Sequence, residues 1–169
     1  MDRAEAGDSL DVKLVGALIG TWHSARVTSS APAASPWDVI ERLLAGIAVG
    51  ATPTLAELYA ESAVVELPFA QPGGLRLVGR EQIAQHFALA GRAPFRLQPI
   101  NIRRHQTMDP EVVVAEYDYQ GEIRATGAEF VVANVQIVRV RDGLILSSRD
   151  FHDHAAMAAA ARDVTGSAP

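Results

Sequence analysis

Polar and ionisable residues fall at every other position near the end of the chain: Ser148, Asp150, His152 and His154, within Gly143 to His154, GLILSSRDFHDH. The stretch opens on an apolar run, Leu144-Ile145-Leu146, and reads as a strand. Side chains alternate across a strand, so these four share one face, and Ser147, Arg149, Phe151 and Asp153 share the other. A carboxyl group and an imidazole on one face are a candidate acid and base. Apolar surroundings disfavour the charged form of a carboxyl group, which is one way a general acid or base is tuned toward neutral pH. Asp150 is therefore the first candidate for moving a proton, and the plain alternative is an ion pair with an arginine at a cavity mouth. His152 lies two residues on, roughly 6.5 to 7 Å along a strand, near enough to share a water or a substrate with Asp150. Its plain alternative is to satisfy a backbone group at the strand end. A metal would need a third ligand beside His152 and His154, and His86 is the one inward candidate, so no metal is expected.

Length and composition bound what surrounds this stretch. A chain of 169 residues that is 49% hydrophobic and 21% charged can build one domain with a real core. The net charge of −5 and the single lysine, Lys13, argue against a nucleic-acid footprint or an anionic-membrane patch. With no cysteine, disulfides, thiolate metal sites and cysteine nucleophiles are excluded. No phosphate loop, dinucleotide fingerprint or nucleophile elbow occurs, so no cofactor is expected. Near the start, the longest apolar run, Leu14 to Ile19, is far short of the roughly 20 residues that span a bilayer. Asp2, Glu5, Asp8 and Asp11 outnumber Arg3 and Lys13, the wrong sign for a secretory leader. A cytoplasmic location is the default expectation.

The elements that must position the site follow in order. Residues 1–35 end in TSSAPAAS, which has linker composition, and are expected to be an extension. The domain is expected over 36–154, with a tail at 155–169. Ser35 is a good N-cap, Pro36 suits the first helical position, and Trp37, Ile40, Leu43, Leu44 and Ile47 recur at helical spacing before Gly50. Thr52-Pro53 repeats the start for a short second helix carrying Leu55, Leu58 and Tyr59. Ala63 to Phe69 reads as a strand and Gln71 to Gly74 as a loop. A third helix over Arg80 to Ala90 turns Ile83, His86, Phe87 and Ala90 inward. The period then changes to two over Phe95 to Gln106, Glu111 to Ile123 and Ala128 to Arg141, and Asp142-Gly143 is a two-residue hairpin signal into the last strand. Helices first and consecutive hairpins afterwards predict an α+β domain with an antiparallel sheet. Glu116 falls on the face opposite Tyr117 and Tyr119 and is expected to point outward. Arg103, Arg104 and His105 read as a solvated strand edge. The alanine-rich tail could start a helix.

LAELYAESAVVELPF, GREQIAQHF, DPEVVVAEYDYQG and VRVRDGLILSSRDFHDH, in that order, resemble the successive signatures of the SnoaL-like and ketosteroid isomerase-like superfamily, named also for nuclear transport factor 2. The resemblance implies a curved antiparallel sheet closed by three N-terminal helices into a cone with an internal pocket, and homodimers through the outer sheet face. It also sets the ketosteroid isomerase mechanism aside. Leu67 stands at the position of that enzyme's proton-shuttling carboxylate, Leu43 at its tyrosine and Gln136 at its protonated aspartic acid. By the same comparison Ser148, Asp150 and His152 on the last strand, with Asn134 and Gln136 on the preceding one, match pocket-side positions. The phenazine-biosynthesis A/B proteins are similar too, and their last-strand carboxylate and helical histidine match Asp150 and His86, although their carboxylate is a glutamate, one methylene longer. A lone histidine on an apolar helix face is otherwise a hydrogen-bonded core residue.

The resulting expectation is a cofactor-independent isomerase, cyclase, dehydratase or hydrolase acting on a small, largely apolar molecule. Asp150, His152 and His86 are the catalytic candidates. Asn134, Gln136, Ser148, Leu67, Phe69 and Phe87 are the binding candidates. The alternative is a non-catalytic ligand-binding or dimerisation domain of the same fold.

Overall fold

The computed structural model describes residues 34–165, so of the expected extension only Ala34 and Ser35 can be placed. Helix α1, Pro36–Val49, starts with a reciprocal cap: the Ser35 hydroxyl accepts from the Asp38 amide at 3.2 Å, and the Asp38 carboxylate accepts from the Ser35 amide at 2.8 Å. These bonds hold the Asp38 carboxyl below its ordinary pKa. The helix buries Val39, Ile40, Leu43 and Leu44. A short 3-10 helix, Pro53–Leu58, leads into strand β1, Tyr59–Leu67. Tyr59 thus opens a strand instead of closing a helix. Strand β2, Leu75–Val78, follows, then helix α2, Arg80–Ala90, with Ile83 and Phe87 buried. Strands β3, Phe95–Gln106, β4, Val112–Ile123, β5, Glu129–Arg141, and β6, Leu144–His152, complete the sheet, and helix α3, His154–Thr165, follows.

All six strands form one sheet in the order β2-β1-β6-β5-β4-β3. The consecutive hairpins are antiparallel, whereas β1 lies parallel to β6, so the sheet is mixed at its centre. The β5–β6 turn is the expected two-residue one, with positive φ at Asp142 and Gly143. Helices α1 and α2 cover one face, α1 against β3, β4 and β5, and α2 against β1, β2 and the 3-10 helix. This is the expected α+β architecture of helices on a curved sheet. On the other face Glu116 pairs with Arg103 at 2.8 Å and His105 at 3.0 Å. On the edge strand β3, Arg104 lies over the Trp37 ring.

One irregularity decides which β6 side chains face the helices. Val140 stands opposite Ile145, but Arg139 stands opposite Ser147, so β6 carries one extra residue at Leu146. Before this bulge the odd-numbered Ile145 is buried; beyond it the even-numbered Ser148 and Asp150 are buried and Arg149 is exposed.

Candidate functional site

A cavity of about 440 Å³ lies between the helices and the sheet. Leu43, Val65, Leu67, Leu77, Ile83 and Phe87 form much of its apolar wall, and Asp150, His152, His86 and Gln136 reach it from β6, α2 and β5. Asp150 is only 6% exposed. Its Oδ1 accepts a hydrogen bond from the Ser148 hydroxyl, and its Oδ2 lies 4.0 Å from His152 Nε2. That distance is beyond hydrogen-bond range. One carboxylate oxygen is thus held from behind while the other faces the imidazole and the cavity.

The state of His152 follows from its partner. The Asn134 side-chain amide donates to the Val132 carbonyl at 2.7 Å, which turns its oxygen toward His152 Nδ1 at 2.5 Å. Nδ1 therefore carries a hydrogen, and in the neutral ring Nε2 is the lone-pair nitrogen directed toward Asp150. The ring stacks nearly parallel on Tyr119, 6.1 Å between centroids, and meets His154 edge-on at 5.7 Å. Strand register explains the grouping, because Asn134 stands opposite His152 and Gln136 opposite Asp150.

Burial pushes the His86 imidazole below its ordinary pKa; Asp150 pulls it up and His152 pushes it further down. Its neutral form is favoured. His154 is lowered too, by burial and then by His152 and His86, and its Nε2 is buried with no hydrogen-bond partner among the described residues. Burial raises the Tyr59, Tyr117 and Tyr119 hydroxyls, and nearby Asp150 raises each further, so all three keep their protons at neutral pH.

Three expected binding residues stand off the cavity wall. Ser148 is buried behind Asp150 and supports it, and Asn134 is buried behind His152 and orients it. Phe69 lies past the end of β1, where Pro68 breaks the alternation. It is 58% exposed and packs edge-on against Phe151 beside a separate, shallower cleft. Tyr59 and Tyr119 line the cavity without having been singled out as site residues. Tyr119 was legible from its strand alternation, but the helical spacing of Leu55, Leu58 and Tyr59 concealed that Tyr59 belongs to a strand. No group of three or more metal-ligating side chains occurs among the described residues.

The family described as SnoaL-like domain matches residues 40–148, well over half the chain. The chain belongs to the SnoaL-like family. An uncharacterised PhzA/B-like protein of Pseudomonas aeruginosa is 30% identical over 96 residues, covering 56% of this chain and 67% of that protein. Among solved structures, a proposed isomerase of Bacillus subtilis aligns with a TM-score of 0.64 at 21% identity, over 73% of this chain and 92% of that one. A proposed polyketide cyclase of Pseudomonas putida gives 0.62 at 16%, over 73% and 96%. A phenazine biosynthesis-related protein of P. aeruginosa gives 0.58 at 18%, over 75% and 83%. At these identities the structures establish a shared fold, and chemistry in this SnoaL-like chain must be argued from its own cavity. Among the described residues no helix is long and apolar enough to cross a membrane.

Proposed function

We propose that this SnoaL-like chain is a small-molecule enzyme that moves a proton on a largely apolar substrate, with Asp150 as the group that takes and returns it. The supporting observation is the position of Asp150: nearly buried at a cavity wall, one oxygen held by Ser148 and the other 4.0 Å from an imidazole nitrogen. A carboxylate so placed can abstract a proton from an acidic C–H and return it elsewhere, which is the common step of isomerisation, cyclisation and dehydration. His152 is its partner, because Nε2 can accept a proton from Asp150 or from the substrate while Nδ1 stays bonded to Asn134. His86, favoured neutral, serves as a second base across the cavity. Leu67 and Phe87 hold the apolar body, and Gln136 orients a carbonyl oxygen. The chemistry asks for no cofactor. The chain acts as a homodimer through the outer face of its sheet.

A metabolite library screened by thermal shift, followed by product analysis of the hits, tests this reading with wild type and Asp150→Asn. The substitution keeps the shape of the side chain, so the variant is expected to retain ligand-induced stabilisation and lose turnover by at least a hundredfold. Turnover undiminished in Asp150→Asn would sink the proposal in favour of a binding domain.

A further inference from the structure

Helix α3 follows β6 after a single residue, Asp153. The Asp153 carboxylate caps it by accepting from the Ala156 amide at 3.0 Å, and the Asp153 carbonyl accepts from the Met157 amide at 3.2 Å. The helix rests on β4 and β5 and closes one side of the cavity, whose wall includes His154 and Met157. Its grip on the core is small. Ala156 and Met157 are partly buried and Ala160 is buried, whereas Ala155, Ala158 and Ala159 are exposed. Helix α1 buries Val39, Ile40, Leu43 and Leu44, and α2 buries Ile83 and Phe87. Apolar stabilisation follows the area buried, so α3 is the helix over the cavity that separates most easily.

The side chain at the joint is His154. Its Nε2 is buried and has no hydrogen-bond partner among the described residues. With its hydrogen on Nδ1 the neutral ring buries only a lone pair there, whereas protonation puts an N–H where nothing accepts it. Other features act in the same direction. His154 is the first residue of the helix, where the macrodipole opposes a cation. Burial, then His152 and His86, hold its pKa below the ordinary 6.5, and His152 meets it edge-on at 5.7 Å. Asp153 acts the other way, and least. The inward side chains of the strands under α3 are uncharged, Tyr117 and Tyr119 on β4 and Asn134 and Gln136 on β5, while Asp150 on β6 faces His152. Arg162 and Asp163 lie at least eight residues along the helix, roughly 12 Å away. His154 also lines the shallower cleft beside Phe69 and Phe151, so it stands between that cleft and the cavity.

We infer that α3 is a lid on the cavity and His154 its latch: the neutral imidazole lets the lid close, and protonation releases it and joins the cavity to the cleft. Because the closed state favours the neutral ring, closure is complete above about pH 6.5 and is lost as the pH falls below that value. The inference concerns access to the site and rests on the proton-transfer reading only for what that access serves.

Two methionines report the lid in the full chain, because hydrogen peroxide oxidises a thioether according to its exposure. Met157 lies on the inner side of α3, and Met108 is fully exposed and serves as the internal reference. The ratio of their oxidation rates, Met157 to Met108, read by peptide mass spectrometry, is expected to rise at least about threefold between about pH 7.5 and about pH 5. His154→Asn keeps a donor near the Nδ1 position and cannot take a proton, so its ratio is expected to stay flat; His154→Gln is a second uncharged variant. Hydrogen exchange at both pH values, corrected for the intrinsic rate, is expected to show α3 losing protection while α1 keeps it. A flat ratio in wild type, an equal rise in both variants, or loss of protection in α1 together with α3 would each overturn the inference. The proton-transfer reading stands or falls separately, since these measurements report opening and Asp150→Asn reports turnover.

Discussion

At the scale of single residues, the site is organised by groups that never touch the cavity. Asn134 spends its amide on the Val132 carbonyl and thereby offers only an oxygen to His152, which selects the tautomer whose Nε2 faces Asp150. Asn134→Leu should leave Nδ1–H buried without a partner. The expected cost is about 1 to 3 kcal/mol of stability, measured by urea unfolding, together with a mixed tautomer population for His152 in nitrogen-15 spectra. An unchanged Nδ1–H signal in the variant would mean that Asn134 does not orient the ring. Residue types and alternation made Asp150 and His152 legible as a pair, because two-residue spacing needs no tertiary information. They could not separate a residue that lines a cavity from one that stands behind the lining. Ser148 and Asn134 share the inward face with Asp150 and Gln136, and only the course of neighbouring chains puts them a layer deeper. Tyr59 was hidden for a different reason, since Leu55, Leu58 and Tyr59 satisfy a helical period and the 3-10 turn ends one residue before it.

At the scale of elements, the bulge at Leu146 decides which residue numbers on β6 face inward. Because β6 has one residue more than β5 between their flanking pairs, the inward set changes from odd to even numbers just before Ser148. Deleting Leu146 would close the bulge and leave every pair in place, Ile145 opposite Val140, Ser147 opposite Arg139 and Ser148 opposite Val138, so Ser148, Asp150 and His152 would still face inward. Arg149 would keep its place beside Glu66, 3.1 Å away on the other face. The deletion is expected to cost no more than about 2 kcal/mol, seen as a modest fall in the urea midpoint. A collapse of the midpoint would show that the bulge itself, and not the pairing on either side of it, holds β6. No feature of Leu144-Ile145-Leu146 announces the bulge, because an apolar run fits either face. The parallel β1–β6 pair was equally hidden, since it joins strands nearly eighty residues apart in the chain while hairpin signals report only neighbours. Strand β2 escaped because LRLV is short and flanked by Gly74 and Gly79. The helices and hairpins, whose caps, glycines and periods are local, were readable almost to the residue.

At the scale of the whole molecule, the sheet has an apolar stripe on the face away from the cavity. Along β5, Val132, Val138 and Val140 point into the core, yet the alternate residues Val131, Ala133, Val135 and Ile137 are apolar as well. A solvated face of an antiparallel sheet is ordinarily polar. Val131 is 60% exposed, and Val114 on β4 and Phe151 on β6 stand beside Ile137 and Val135 in register, which widens the stripe into a patch. Ion pairs border it, Arg149 with Glu66 and Arg103 and His105 with Glu116, as at the rim of an interface. A second copy related by a two-fold axis would cover the patch with the same patch, which fits the proposed homodimer. Sedimentation velocity at micromolar concentration is expected to give the mass of a dimer. The double substitution Val131→Glu and Ile137→Glu places charges at positions that are exposed in the monomer, so the fold should tolerate it, while each charge would be buried unpaired in the dimer. The dimer should weaken by at least about tenfold, and ligand-induced thermal stabilisation should survive because the cavity is lined by the opposite face of the sheet. A wild-type chain that sediments as a monomer would remove the dimer, and the stripe would then need another partner to cover it.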